Sequence, residues 1–215
     1  MRKHVVVDVH AVQAGEFCLE EAKKGRTPGP QVVKIGACFF DDGFVDEVVF
    51  GYRAHPTDLH TVSLEDAHNL GFESSEHFES VVENWSTFPR LWGDFCQWVV
   101  RHSGMEGTFA SIAPRLYWCA YNLAQTLVPL DFTLRHHGIQ AGLLDLHALD
   151  VRSVMTAQSE VARYCGAEGF PTASLREMTS LSGIDVRNWN DPVERARATG
   201  RLIHKYLAIQ KRLYE

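Results

Sequence analysis

Apolar positions divide the chain into two periodicities. Val5, Val6 and Val7 open a β-branched run, His4 to Asp8, that predicts a buried strand. Gln31 to Phe40 (QVVKIGACFF) predicts a second strand, Asp41-Asp42-Gly43 a turn, and Phe44 to Arg53 a third strand. Together they make an antiparallel meander. Residues 13–31, with Gly15, Gly25, Pro28, Gly29 and Pro30, read as a loop. Residues 54–84 are polar and weakly periodic. Further on the period lengthens: Phe88, Leu91, Trp92, Phe95, Trp98 and Val99 recur at helical intervals, so residues 85–101 predict an amphipathic helix. A loop over 103–113 precedes a strand over 115–120 and a helix over 126–137 that stops at Gly138. Residues 143–151 predict a strand or a strand-to-helix junction, 151–165 a helix, 175–181 a short helix, and 192–214 a long final helix with Pro192 in its first turn. With no internal repeat or linker, the pattern predicts one α/β domain over residues 1–215, a mixed sheet flanked by helices.

Composition narrows the function classes. A hydrophobic fraction of 45% is ample for a core. A net charge of −6 and a pI near 6.0 argue against a general polyanion binder, so nucleic-acid contacts would need a local basic patch. No apolar run reaches the roughly eighteen residues of a membrane span. The N-terminus has no signal-peptide apolar region, which points to the cytoplasm. Cys18, Cys38, Cys96, Cys119 and Cys165 show no Cys-x-x-Cys spacing and read as reduced, mostly buried thiols.

Three segments carry candidate chemistry. The first strand runs into Asp8-Val9-His10. The strand Leu116-Tyr117-Trp118-Cys119-Ala120 is followed by Tyr121-Asn122 and a helix ending His136-His137-Gly138. The segment Asn190-Asp191-Pro192-Val193-Glu194-Arg195-Ala196 opens the last helix. In order and spacing these resemble the motifs of the DEDD 3'-5' exonucleases, nearest to the RNase T and phage DexA-like branch. Leu149 to Gln158 resembles the segment that follows the middle helix in that family. The resemblance covers most of the chain and implies a ribonuclease H-like fold, in which a three-strand antiparallel meander continues into parallel strands. It also implies a chemistry in which two divalent metals about 4 Å apart clamp the attacking water and the leaving 3' oxygen. Hard Mg²⁺ or Mn²⁺ ions need several carboxylates for that, and a His or Tyr orients the water.

On this resemblance the motif positions are largely substituted. Asp8 stands at the first metal-bridging Asp. His10, on the same strand face, replaces the family's Glu. Counting back from Gly138 places Thr126 at the middle carboxylate, where a helix-capping role is the competing reading. Aligning Ala196 puts Arg195 at the last Asp and Asn190 at the His. Glu194 is one residue off, about 100° around the helix. Arg195 would put permanent positive charge where a cation should sit, pairing with Asp8 or binding a phosphate; a solvated surface arginine is the alternative. The chain is therefore expected to be a degenerate exonuclease, a pseudoenzyme acting as a nucleic-acid-binding or protein-interaction module and needing no cofactor. The alternative is an active 3'-5' exonuclease on single-stranded RNA or DNA, with Mg²⁺ or Mn²⁺ on Asp8 and a site rebuilt from Asp8, His10, Glu194 and Asp131 or Asp191. Partners would be single-stranded nucleic acid or a protein, not a membrane. Homodimers are common in the family.

Two further patterns stand out in the sequence. His55, His60, His68 and His77, among acidic residues, could hold a transition metal, against a solvated loop. Arg195, Arg197, Arg201, Lys205, Lys211 and Arg212 make the last helix basic, against a solvated face.

Overall fold

The computed structural model describes residues 3–12, 30–40, 48–55, 64–143, 146–169 and 174–214. The predicted loop over 13–29, the turn at 41–43 and His60 lie outside them. The elements are β1 (His4–Val12), β2 (Gln31–Phe40), β3 (Val48–His55), α1 (Leu64–Asn69), α2 (Ser75–Val82), β4 (Ser86–Thr87), α3 (Phe88–Ser103), α4 (Phe109–Ile112), β5 (Tyr117–Ala120), α5 (Leu123–His136), β6 (Ala148–Asp150), α6 (Val151–Tyr164), α7 (Leu175–Leu181) and α8 (Pro192–Tyr214).

The strands form one sheet in the order β4-β3-β2-β1-β5-β6. β2 runs antiparallel to both β1 and β3, whereas β1–β5, β5–β6 and β3–β4 are parallel. A meander continued by parallel strands, with helices on both faces, is the ribonuclease H-like α/β arrangement.

Alternation along β1 separates two cores. Val5, Val7 and Val9 join Ile35, Ala37, Phe39 and Phe50 under the α3 residues Phe88, Leu91, Phe95 and Trp98. Val6 joins Cys38, Phe40 and Cys119 on the opposite face, under α6, α7 and the α8 residues Ala196, Leu202 and Ile203. Asp8 and His10 share the Val6 face. They are polar residues near the C-terminal end of a strand whose other face is apolar throughout.

Glycines let α8 lie directly on that face. Asp8 pairs with Gly36 across β1–β2, and Gly36 with Gly51 across β2–β3. A Cβ at Gly36 would lie 2.2 Å from the Pro192 carbonyl carbon and the Val193 nitrogen, and one at Gly51 would lie 2.5 Å from Val193 Cγ2. Without side chains in this row, the first turn of α8 rests on the sheet backbone.

Several local readings differ from the sequence expectation. The weakly periodic stretch contains two short helices, α1 and α2, because Ala67, Leu70, Phe78 and Val82 pack with Val12 and Val33 in a third cluster. Helix α3 begins at Phe88, so Trp85 lies outside it and packs on Phe72 and Phe78. The 103–113 loop holds the single turn α4, closed by a capping box between Thr108 and Ser111. Helix α5 starts three residues earlier than predicted, with Asn122 as its cap accepting from the Gln125 nitrogen. Thr126 is buried inside the helix and does not cap it.

No helix among the described residues is long and apolar enough to cross a membrane. Cys38 and Cys119 are buried, Cys96 is half-buried and Cys165 is exposed.

Candidate functional site

Asp8, Thr126 and Arg195 line one cleft of about 420 Å³. It opens where β5 and β6 end, over the Asp8–Val9 stretch of β1 and beside Tyr121, Asn122 and Arg152, which lie just past the two parallel strands. Crevices at the carboxyl ends of parallel strands, where successive connections diverge, are the usual ligand sites of open α/β sheets. Three of the motif positions, taken from three segments far apart in the chain, thus converge on the cleft.

Arg195 dominates the site. Its Nε donates to Asp8 Oδ2, and its Nη1 donates to His10 Nε2. Nη1 also donates to the Trp189 carbonyl at 3.0 Å, and Nη2 to the Val9 carbonyl at 3.2 Å. These bonds use four of the five guanidinium N–H groups. Helix α8 aims the side chain: Arg195 N bonds to the Asp191 carbonyl, so the guanidinium leaves the first helical turn toward β1. About a fifth of each partner's side chain is exposed, 19% for Arg195 and 21% for Asp8. The solvated-surface reading of Arg195 does not describe this geometry.

Burial pushes the Asp8 carboxyl up, and the guanidinium works against it through charge and hydrogen bonding. His10 is held down to about 3, first by burial and then by the charges of Arg195 and Lys34. A neutral imidazole accepting at Nε2 carries its proton on Nδ1. That Nδ1 is buried and has no hydrogen-bond partner among the described residues.

The other motif positions are elsewhere. Glu194 pairs with Arg197 at 3.0 Å. Asn190 lies in a second cleft, beside Gly71. Asp191 Oδ1 accepts from the Val193 nitrogen at 2.9 Å, holding the start of α8. Asp131 pairs with Arg135 at 2.7 Å.

The donor set does not fit a two-metal centre. Asp8 supplies one carboxylate and it is held by a guanidinium. Asp150, the last residue of β6, caps two helices at once, accepting from Ser153 N at 2.8 Å and Leu123 N at 3.0 Å. No group of three or more His, Cys, Asp or Glu able to hold a metal occurs among the described residues, the described part of the histidine-rich stretch included. There His68 Nε2 lies 3.0 Å from the Glu73 carbonyl, and the His77 ring packs edge-on against Phe72.

What the cleft retains is donor capacity. The Arg152 guanidinium is exposed and makes no ion pair among the described residues. Asn122 and Gln125 add side-chain amides, whereas the Ser174 hydroxyl is committed to Glu177 Oε2 at 3.0 Å; burial pushes the Tyr121 phenol up to about 12, so it stays protonated. Sequence reasoning passed over Arg152 and Ser174. Arg152 was legible as a basic residue just past a strand end. Ser174 was legible as the first residue of a capping box with Glu177.

The basic face of α8 is partly used within the fold. Arg195 and Arg197 bind carboxylates, and Lys205 donates to the Ser182 carbonyl. No protein-family model matches this chain, and a search of curated proteins returned no match.

Proposed function

We propose that this chain is a non-catalytic, DEDD exonuclease-like module that binds single-stranded nucleic acid at the Asp8–Arg195 cleft without cutting it. The carrying observation is the Arg195 guanidinium, which bridges Asp8 and His10 where the two-metal chemistry of the family needs cations. Substituting a guanidinium for a metal removes both the Lewis acid and the activated water, because a guanidinium cannot coordinate or ionise water. Arg152 and the neighbouring amides suit phosphate oxygens and base edges, and the cleft is open at its strand-end mouth.

The test is incubation of the full chain with a single-stranded oligonucleotide and a 3'-overhang duplex, with Mg²⁺ or Mn²⁺, beside Asp8→Ala. The expected result is intact substrate and a retarded band that weakens with salt. Arg152→Ala should reduce the salt slope by about one if it contacts one phosphate. Release of mononucleotides that disappears in Asp8→Ala would overturn the non-catalytic assignment. Intact substrate with no shift at low salt would overturn the nucleic-acid assignment and leave a protein-binding scaffold.

A further inference from the structure

A second cleft, of about 410 Å³, opens on the other side of the α8 N-terminus, over β2 and β3. Its floor carries an unusual pair. Lys34 and Arg53 are register partners on adjacent antiparallel strands, so their side chains stand on the same face. Like charges directly opposite one another destabilise a sheet. Lys34 is also 6% exposed and interrupts the otherwise non-polar run from Val32 to Phe40. Its ammonium has one hydrogen bond among the described residues, to the Leu70 carbonyl at 2.9 Å, and lies 5.7 Å from the Phe72 ring centroid. Two of its three N–H groups are left for something else. Arg53 stacks on Trp85 at 5.5 Å and pairs with no carboxylate among the described residues.

The surroundings do not relieve this charge. Arg195 adds to the field, and burial, Arg53 and Arg195 bring the Lys34 amine down to about 8, partly opposed by Asp191. The Asp191 carboxylate is the acid in the lining, and one of its oxygens is bound to the Val193 nitrogen. Asn188 and Asn190 complete the polar wall, and Leu70 and Phe72 the apolar one. A buried cation, opposed by a second cation and short of acceptors, breaks the local rules that elsewhere govern this sheet; such breaks mark sites that a ligand completes.

We propose that the Lys34–Arg53 cleft binds the phosphate group of a small phosphate ester. A phosphate presents three acceptor oxygens and close to two negative charges. That matches an ammonium with two spare donors, a guanidinium fork and two amides better than the two oxygens of a carboxylate do. The cleft lies within the usual size range of small-molecule sites. The inference is independent of the nucleic-acid reading, because the two clefts share no lining residue.

Calorimetric titration of the full chain with inorganic phosphate, ribose 5-phosphate and succinate tests it. Ribose 5-phosphate is expected to bind saturably and more tightly than inorganic phosphate. Lys34→Met, which keeps the aliphatic stem, and the exposed Arg53→Gln should each weaken it about tenfold or more, while Arg152→Ala in the other cleft stays within about twofold. If Lys34→Met does not fold by circular dichroism, Arg53→Gln alone decides. No binding of ribose 5-phosphate tighter than about 10 mM, tighter binding of succinate, or loss of binding in Arg152→Ala but not in Arg53→Gln would each overturn the proposal.

Discussion

Replacing Arg195 with Met keeps most of the stem and removes the guanidinium, so it isolates what the cation does for the fold. The side chain makes four hydrogen bonds, one to a carboxylate that is about four-fifths buried. Breaking a buried ion pair by removing one partner costs about 3–5 kcal/mol, because the remaining charge is left uncompensated. Exposure of 19% and 21% for the two side chains places the expectation at the low end, about 3 kcal/mol. For a chain of this size that lowers Tm by about 6–12 °C. The loss should depend on pH in a definite direction. Burial already raises Asp8 in the folded protein, and Arg195 is what opposes that rise. In Arg195→Met the folded carboxyl rises further, so the folded state holds its proton more tightly than the unfolded chain. Stability then falls as pH climbs from the unfolded carboxyl value, about 3.9, through the folded one. The deficit relative to the parent protein should therefore be larger near pH 8 than near pH 5. Asp8→Asn added to Arg195→Met should recover part of it by removing the stranded charge. Urea denaturation of the parent, both singles and the double at two pH values supplies every quantity needed. A loss below about 0.5 kcal/mol, or one equal at both pH values, would refute the reasoning.

Two further outcomes follow from the same geometry. His10 is held near 3, far below an unfolded histidine, so the unfolded chain takes up a proton first on acidification. Its contribution to stability should be complete above about pH 6.5 and decline as pH falls toward the folded value; imidazole nitrogen shifts should show an Nδ1–H neutral ring at pH 6, and a His10 that titrates near 6.5 would contradict the assignment. Gly36→Ala places a Cβ 2.2 Å from α8 backbone atoms that cannot swing aside, whereas a Cβ at Gly93 in α3 meets nothing within 4 Å. Thermal melts should show Gly36→Ala destabilised by about 1–3 kcal/mol or more and Gly93→Ala stabilised by about 0.5–1 kcal/mol; equal effects would show that α8 does not rest on the glycine row.

Much of the secondary structure was readable because its causes are local. Strand β2, helix α7 and helix α8 coincide with the predicted ranges, since a β-branched run, a Ser-x-x-Glu box and a proline opening an amphipathic stretch act within a few residues. Helices α1 and α2 were missed because their burial comes from Val12 and Val33, distant strand residues that a local window cannot weigh. Within the site, Asp8, His10, Thr126 and Arg195 were singled out by order and spacing; the fold joins Asp8 and His10 through Arg195 and places Thr126 on the same cleft as Asp8 and Arg195. Lys34 carried a readable sign, a lysine inside an apolar strand, yet its meaning depended on which residue lay across from it.

The sequence by itself determined the alternation that leaves Asp8 and His10 on one face of β1, the residue types available there, and an arginine in the first turn of the last helix. Only the tertiary structure decided that Arg195 reaches Asp8 from 187 positions away and binds His10 as well. It also decided that Lys34 faces Arg53. The reason is that side-chain direction within an element follows from its period. Contact between elements depends instead on register and closest approach, and here both were settled by glycines at 36 and 51 that let α8 descend onto the sheet.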